Sequence, residues 1–270
     1  MKILFFGDIV GRLGLEAVAS LLPKLAKEYD ADFIIANGEN VSKGRGITES
    51  DYEALLDAGV DAVTLGNHWN DKKQIVNYID YADCLIRPIN LIDFDHGVGS
   101  AVFDLDGIPV RVTNILGQAF MKENVKSPYQ AMNELFLEEE PTAIHIVDYH
   151  AESTSEKQVF AHWADGKVSA VIGTHTHVQT NDPIILSGGT GFLSDAGMCG
   201  AHDSIIGFTP DSVLKKIVYG ETEGHFEVAE KAETLVCFVY IEIDELSGKC
   251  IRIAPISYIG GKCSHGENHL

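Results

Sequence analysis

The apolar and polar positions of the chain follow two periods. Short continuous apolar runs at residues 2–6, 32–36, 62–65, 143–149 and 167–172 read as strands buried on both faces. Between the first two runs, Leu15, Val18, Ala19, Leu22, Leu25 and Ala26 recur at helical spacing, and Pro23 predicts a kink or split there. Thr48 opens a second helix with a Thr-x-x-Asp capping box to Asp51, and residues 71–81 read as a third. Ser127-Pro128 opens a helix to about residue 140, with Pro at the first helical position, and a further helix covers 153–164. Residues 99–104 and 108–115 flank Leu105-Asp106-Gly107, a hairpin signal, and 235–243 and 249–259 form a closing antiparallel pair around Ser247-Gly248. There is no internal repeat, low-complexity segment or Pro/Gly/Ser linker. The pattern predicts one α/β domain over residues 1–260 and a flexible tail over 261–270, which carries Cys263, His265 and His269.

Five of the strands run straight into polar clusters. These are Gly7-Asp8, Asn37-Gly38-Glu39-Asn40, Gly66-Asn67-His68, Asp148-Tyr149-His150 and Gly173-Thr174-His175-Thr176-His177. Ligands of α/β sheets sit beyond the carboxyl ends of the strands, so five such ends converge on one site. Singly each cluster is weak: Asp8 reads equally as a helix cap, Asn67 as a turn residue, His150 as a core histidine. The conjunction points to chemistry. Asp8, Glu39, Asn40, Asn67, His150, His175 and His177 are oxygen and imidazole donors without thiolate, which suits catalytic iron, manganese or zinc more than a closed structural zinc site. Seven donors exceed one tetrahedral ion and suit two ions sharing a carboxylate, the arrangement that clamps both oxygens of a displacement at phosphorus.

Charge narrows the substrate. Forty Asp and Glu against 20 Lys and Arg leave a net charge of −20, spread over both halves of the 270-residue chain. Neither a duplex nucleic acid nor an anionic membrane finds a basic face here. The apolar start stops at Asp8, short of a secretory h-region, and no apolar stretch is long enough to span a membrane. Five cysteines without a CxxC pair read as reduced thiols, so the expected location is cytoplasmic. The sequence leaves self-association as a homo-oligomer open.

The order GD…NGEN…GNH…DYHAE…GTHTHVQT, followed by DAGMCG at 195–200, resembles the YmdB-like branch of the calcineurin-like metallophosphoesterases over nearly the whole chain. The resemblance implies a four-layer α/β/β/α sandwich. It implies two transition-metal ions per chain, iron foremost, with manganese and zinc as alternatives. Asp8, Glu39, Asn40 and His177 would hold one ion; Glu39, Asn67, His150 and His175 the other. It also implies a phosphodiesterase on small phosphodiesters, above all 2′,3′-cyclic nucleotides, in which a hydroxide held between the ions attacks and His68 donates a proton. Asp148 and Asp195 are candidates to orient ligands.

Two departures stand out. The wider superfamily has Asp-x-His at the first motif, where this chain reads Asp8-Ile9-Val10 and Asn40 takes the missing ligand's place. The branch usually reads GNHTWD, where this chain reads Gly66-Asn67-His68-Trp69-Asn70-Asp71. The shifted Trp69 is expected to line the substrate pocket. A phosphomonoesterase, an RNA-end nuclease and a metal-bound regulatory protein with little turnover are the alternatives.

Overall fold

The computed structural model describes residues 1–221 and 224–265. Fifteen strands form two sheets among these residues. In the first sheet, β1 (Lys2–Phe6), β3 (Phe33–Asn37), β4 (Ala62–Thr64) and β5 (Leu85–Ile86) run parallel. On the other side of β1 lie β13 (Thr234–Ile243), β14 (Cys250–Ile259) and β15 (Lys262–His265), all antiparallel to their neighbours. Short strands β2 (Asp8–Ile9) and β12 (Met198–Ala201) join this sheet through β13. The second sheet has the order β10 (Ile184–Ile185), β11 (Gly191–Leu193), β9 (Ala170–Thr174), β8 (Ile144–His150), β7 (Ile108–Leu116), β6 (Ser100–Leu105). The helices are α1 (Gly11–Glu28), α2 (Glu49–Asp57), α3 (Pro128–Glu138), α4 (Thr154–Ala164) and α5 (Pro210–Ile217).

The alternation of side chains along each strand sorts the core into three apolar layers. Ile3, Phe5, Phe33 and Ile35 of the first sheet meet Val110, Val112, Ile144, Ile146, Ala170 and Ile172 of the second. Their neighbours Leu4, Phe6, Ile34 and Ala36 face Val18, Leu22 and Leu25 of α1 and Leu55 of α2. On the far side, Val147, Tyr149 and Val171 face Met132 and Leu135 of α3 and Phe160 and Ala161 of α4. Helix, sheet, sheet and helix are therefore stacked as a four-layer sandwich. Each fully buried aliphatic or aromatic side chain contributes roughly 1.5–3 kcal/mol to that stacking.

The same alternation positions the site. The face that is apolar at the start of each strand turns polar at its carboxyl end: Asn37 on β3, Thr64 on β4, Asp148 and His150 on β8, and Thr174 on β9 are all fully buried between the sheets.

Local expectations are met at both hairpins. Leu105 pairs with Ile108 around Asp106 (φ 52°) and Gly107 (φ 87°), the two left-handed positions of a tight hairpin turn. Elsewhere the structure differs. Helix α1 runs unbroken through Pro23, whose ring faces solvent while Leu22 and Leu25 anchor the helix to the core. Residues 71–81 form no α-helix but two 3₁₀ segments, Lys73–Asn77 and Ile79–Tyr81; β-branched Ile75, Val76 and Ile79 crowd a full helical turn. At α2, Thr48 caps Asp51 N at 3.3 Å, but the Asp51 carboxylate returns to the Thr48 hydroxyl and not to its backbone N–H. The expected tail begins instead with β15, paired to β14; residues 266–270, with His269, lie outside the described residues. Cys84, Cys199, Cys237 and Cys250 are free thiols. Among the described residues no helix is long and apolar enough to cross a membrane.

Candidate metal centre

Asp8, Glu39, Asn40, Asn67, His150, His175 and His177 meet at the carboxyl ends of the two sheets. Glu39 lies between two groups. Its Oε1 is 3.0 Å from His150 Nε2 on one side and 3.2 Å from Asn40 Nδ2 on the other. Its Oε2 accepts from the backbone N–H of His68 at 2.8 Å. Around His150 Nε2 stand Asn67 Oδ1 at 3.0 Å and His175 Nδ1 at 3.1 Å. Around Asn40 Nδ2 stand His177 Nε2 at 3.1 Å and Asp8 Oδ1 at 3.5 Å. Asp8 Oδ2 accepts from the backbone N–H of His175. Gly66 makes the approach feasible: a Cβ there would sit 2.3 Å from Glu39 Oε2 and 2.5 Å from His150 Nε2.

The outer partners decide which nitrogen of each imidazole carries its hydrogen. Thr174 Oγ1 donates its one hydrogen to Asp148 Oδ1 at 2.6 Å, so it accepts from His150 Nδ1–H at 2.9 Å. His175 Nε2 faces Glu152 Oε2 at 3.0 Å and donates to it. His177 Nδ1 donates to the Ile206 carbonyl at 2.9 Å. Each ring therefore turns its lone pair inward: those of His150 and His175 meet the acceptors Glu39 Oε1 and Asn67 Oδ1 and each other, while that of His177 meets Asn40 Nδ2. Glu39, His150 and His175 bring one ligand atom each within 4.8 Å of one another, and two of the three residues are buried. Acceptors this close repel unless a cation or proton stands among them.

Ionisation in the ion-free protein follows from that crowding. Burial lowers the His150 imidazole, but Glu39, then Asp8 and Asp148, outweigh it and raise it to about 9. Burial raises the Glu39 carboxyl, but His150 and His68 pull it down to about 2. Asp8 is raised to about 6 by burial, against His177 and His150. Burial and the neighbouring His150 lower His175 to about 3. A proton on His150 thus balances the carboxylates of the ion-free site.

His68 stands apart from the inward lone pairs. Its Nδ1 donates to Asp71 Oδ2 at 2.9 Å, and its side chain lines a cleft beside the cluster. Trp69 does not line that cleft. It packs on Phe94, ring centroids 4.3 Å apart, so the shifted aromatic belongs to the core.

Of the residues that position the site, Asp148 and Asp195 are expected from the sequence and Asn37 stands in the NGEN motif, whereas Thr64 and Lys157 carry no motif signal. Asp148 Oδ2 accepts from Asn37 Nδ2 at 3.0 Å and Thr64 Oγ1 at 2.5 Å, and Asn37 Oδ1 accepts from the Glu39 N–H. One buried carboxylate thus ties Glu39 to His150. Lys157 of α4 is buried beneath the histidine loop, its Nζ 2.8 Å from Asp195 Oδ2 and 2.9 Å from the Thr174 carbonyl. Asp195 Oδ2 also accepts from the N–H of Thr176, between His175 and His177. Glu152, the last residue of the His-Ala-Glu triplet, was legible as a letter of the pattern but not as a partner of His175.

Four layers with a carboxylate, amide and imidazole cluster on the carboxyl ends of the strands define a metallophosphoesterase-type protein. The chain belongs to the YmdB-like family, whose pattern matches residues 4–256. It is 39% identical over 257 residues to a Bacillus subtilis strain 168 protein named 2′,3′-cyclic-nucleotide 2′-phosphodiesterase, covering 95% of this chain and 96% of that one. Two crystal structures superpose with a TM-score of 0.89. One is a hypothetical protein from Thermus thermophilus, 35% identical over 96% of this chain and 99% of that one. The other is described as a novel phosphatase from Mycoplasma pneumoniae, 36% identical over 96% of this chain and 93% of that one.

Proposed function

We propose that the protein is a metal-dependent phosphodiesterase of small phosphodiesters, with 2′,3′-cyclic nucleotides as its foremost substrates. The convergence of three imidazole lone pairs on Glu39 and Asp8 is the observation that carries the metal part; the Bacillus subtilis relative's name supports the substrate. Asp8, Glu39, Asn40 and His177 would hold one ion, and Glu39, Asn67, His150 and His175 a second, with Glu39 shared. A flip of the Asn40 amide would present its oxygen where Nδ2 now stands. Iron is the first expectation and manganese or zinc the alternatives, because the donors are oxygen and imidazole without thiolate. Such ions, when bound, supply Lewis acidity and lower the pKa of water.

The residues of the chain do the rest. Asp71 holds His68 Nδ1, which leaves Nε2 to carry the proton toward the cleft. In hydrolysis the oxygen of water bonds to phosphorus, a ring P–O bond breaks, and the departing ribose oxygen takes its proton from His68 Nε2. The proton released from water restores the imidazole.

Elemental analysis and an assay of 2′,3′-cyclic AMP, before and after chelation, test this reading. Two ions per chain and release of a nucleotide monophosphate are expected, lost on chelation and restored by metal. Fewer than two ions overturns the shared-carboxylate scheme. Two ions without release, or turnover confined to p-nitrophenyl phosphate, overturns the substrate.

The hydroxyl of Thr174 gives a finer test. Thr174→Val keeps the shape but removes the link between Asp148 and His150. Metal affinity, read by competition with a chelator, is expected to fall roughly 10- to 100-fold. An unchanged affinity would show that His150 needs no such support.

A further inference from the structure

We propose that Phe208, Phe226 and Arg45 form a base-binding subsite beside the metal cluster, so that the preferred substrate carries a nucleobase next to its reacting phosphodiester. The proposal rests on the phosphodiesterase reading above and extends it to the part of the substrate that does not react.

The cleft beside the cluster encloses about 350 Å³, within the ~300–1,000 Å³ of small-molecule sites. Its lining joins His68, His175 and His177 to Phe208, Val213 and Phe226, from the stretch around α5. The two rings lie 5.7 Å apart, inclined by 52°, and form an angled aromatic wall. A hydrogen bond ties the wall to the cluster, because the Ile206 carbonyl takes the Nδ1–H of His177. The loop that follows Glu39 and Asn40 closes against it: a Cβ at Gly44 would lie 3.2 Å from the Phe208 ring and 2.7 Å from Val228.

Arg45 follows Gly44 and is the one Lys or Arg among the residues lining the cleft. Its guanidinium makes no ion pair or hydrogen bond with another described residue. This exposed guanidinium has no partner among the described residues to give up, so it can turn its donors to an acceptor in the cleft. A planar group with apolar faces and an edge of ring nitrogens and carbonyls satisfies both features: its face stacks on the wall and its edge accepts from Arg45. A simple alkyl phosphodiester would leave the wall wet. A long polyanion would find a single cation, where single-strand binders present a basic groove.

The experiment compares kcat/KM on 2′,3′-cyclic AMP and on ethylene phosphate, a five-membered cyclic phosphodiester without a nucleoside, for wild type, Phe208→Ala, Phe226→Ala and Arg45→Ala. Each aromatic variant is expected to lose roughly 5- to 150-fold on the nucleotide, the value of one base–aromatic stack, and the ratio of the two substrates falls by the same factor. Arg45→Ala is expected to raise KM for the nucleotide with kcat held. Equal losses on both substrates, or no loss on the nucleotide, overturn the proposal. Calorimetric titration with adenosine reads the subsite without turnover: wild type binds it, and the aromatic variants bind at least fivefold more weakly. Failure of wild type to bind adenosine overturns the subsite. Adenosine binding without hydrolysis of the cyclic nucleotide upholds it and overturns the phosphodiesterase reading instead.

Discussion

Alanine at position 68 is expected to slow hydrolysis of 2′,3′-cyclic AMP by roughly 10²–10⁴, a barrier increase of about 3–5 kcal/mol, with metal content unchanged. The split follows from two bonds that His68 makes with different parts of itself. Its backbone N–H holds Glu39 Oε2, and that bond survives removal of the imidazole. Its ring donates from Nδ1 to Asp71, and it is not part of the group that Glu39, His150 and His175 form. The substitution therefore removes a proton carrier and leaves the ligand set in place. Elemental analysis beside steady-state kinetics checks both halves. If His68→Ala lost its ions, the ring would be a ligand and the proton would come from elsewhere.

Lys157→Met is expected to lower the free energy of unfolding by about 3–5 kcal/mol, because it leaves Asp195 charged and buried without its partner. The double variant Lys157→Met, Asp195→Asn is expected to recover most of that loss. Denaturant titration of the three proteins measures it. Stability and ligand positioning separate here. His175 (φ 102°) and His177 (φ 64°) both adopt left-handed backbone, a strain of about 1–3 kcal/mol each. The Asp195 carboxylate holds the peptide between them through Thr176 N–H. An amide in its place holds that N–H less strongly than a carboxylate does. The double variant is therefore expected to fold like wild type and still bind metal more weakly. Full recovery of both would show that the ion pair serves the core alone.

Much of this site was legible because its residues follow apolar runs directly. Asp8, Glu39, His68, His150 and His175 each stand at or within a few residues of the carboxyl end of a strand, so strand period and ligand identity are read from the same few letters. The layering was legible only through resemblance, since nothing local tells that Ile3 faces a second sheet while Leu4 faces α1. Lys157 was invisible for the same reason. It sits in an ordinary helical pattern, and only the packing of α4 beneath β9 brings its ammonium to Asp195. Trp69 shows the reverse error, a motif letter with an expected role whose ring is taken by Phe94. Residues 71–81 had helical spacing, but three β-branched residues and partners three positions apart drew the segment into 3₁₀ turns.

The pairing of β1 with β13 sets the order in which the molecule can be assembled. The amino terminus bonds to Ile243, 242 positions away. All seven candidate ligands have left the ribosome once residue 177 has, yet β13 begins only at Thr234. Until it arrives, β1 is an edge strand, able to pair with β3 but open on its other side. Closing so distant a contact is slow, and an apolar edge held open during synthesis invites pairing with the wrong chain. The backbone of Asp8 is held by Gly197, on the same late-made part of the chain. The cluster is thus complete as a set of residues long before it is rigid, and the last third of the chain controls when it becomes so.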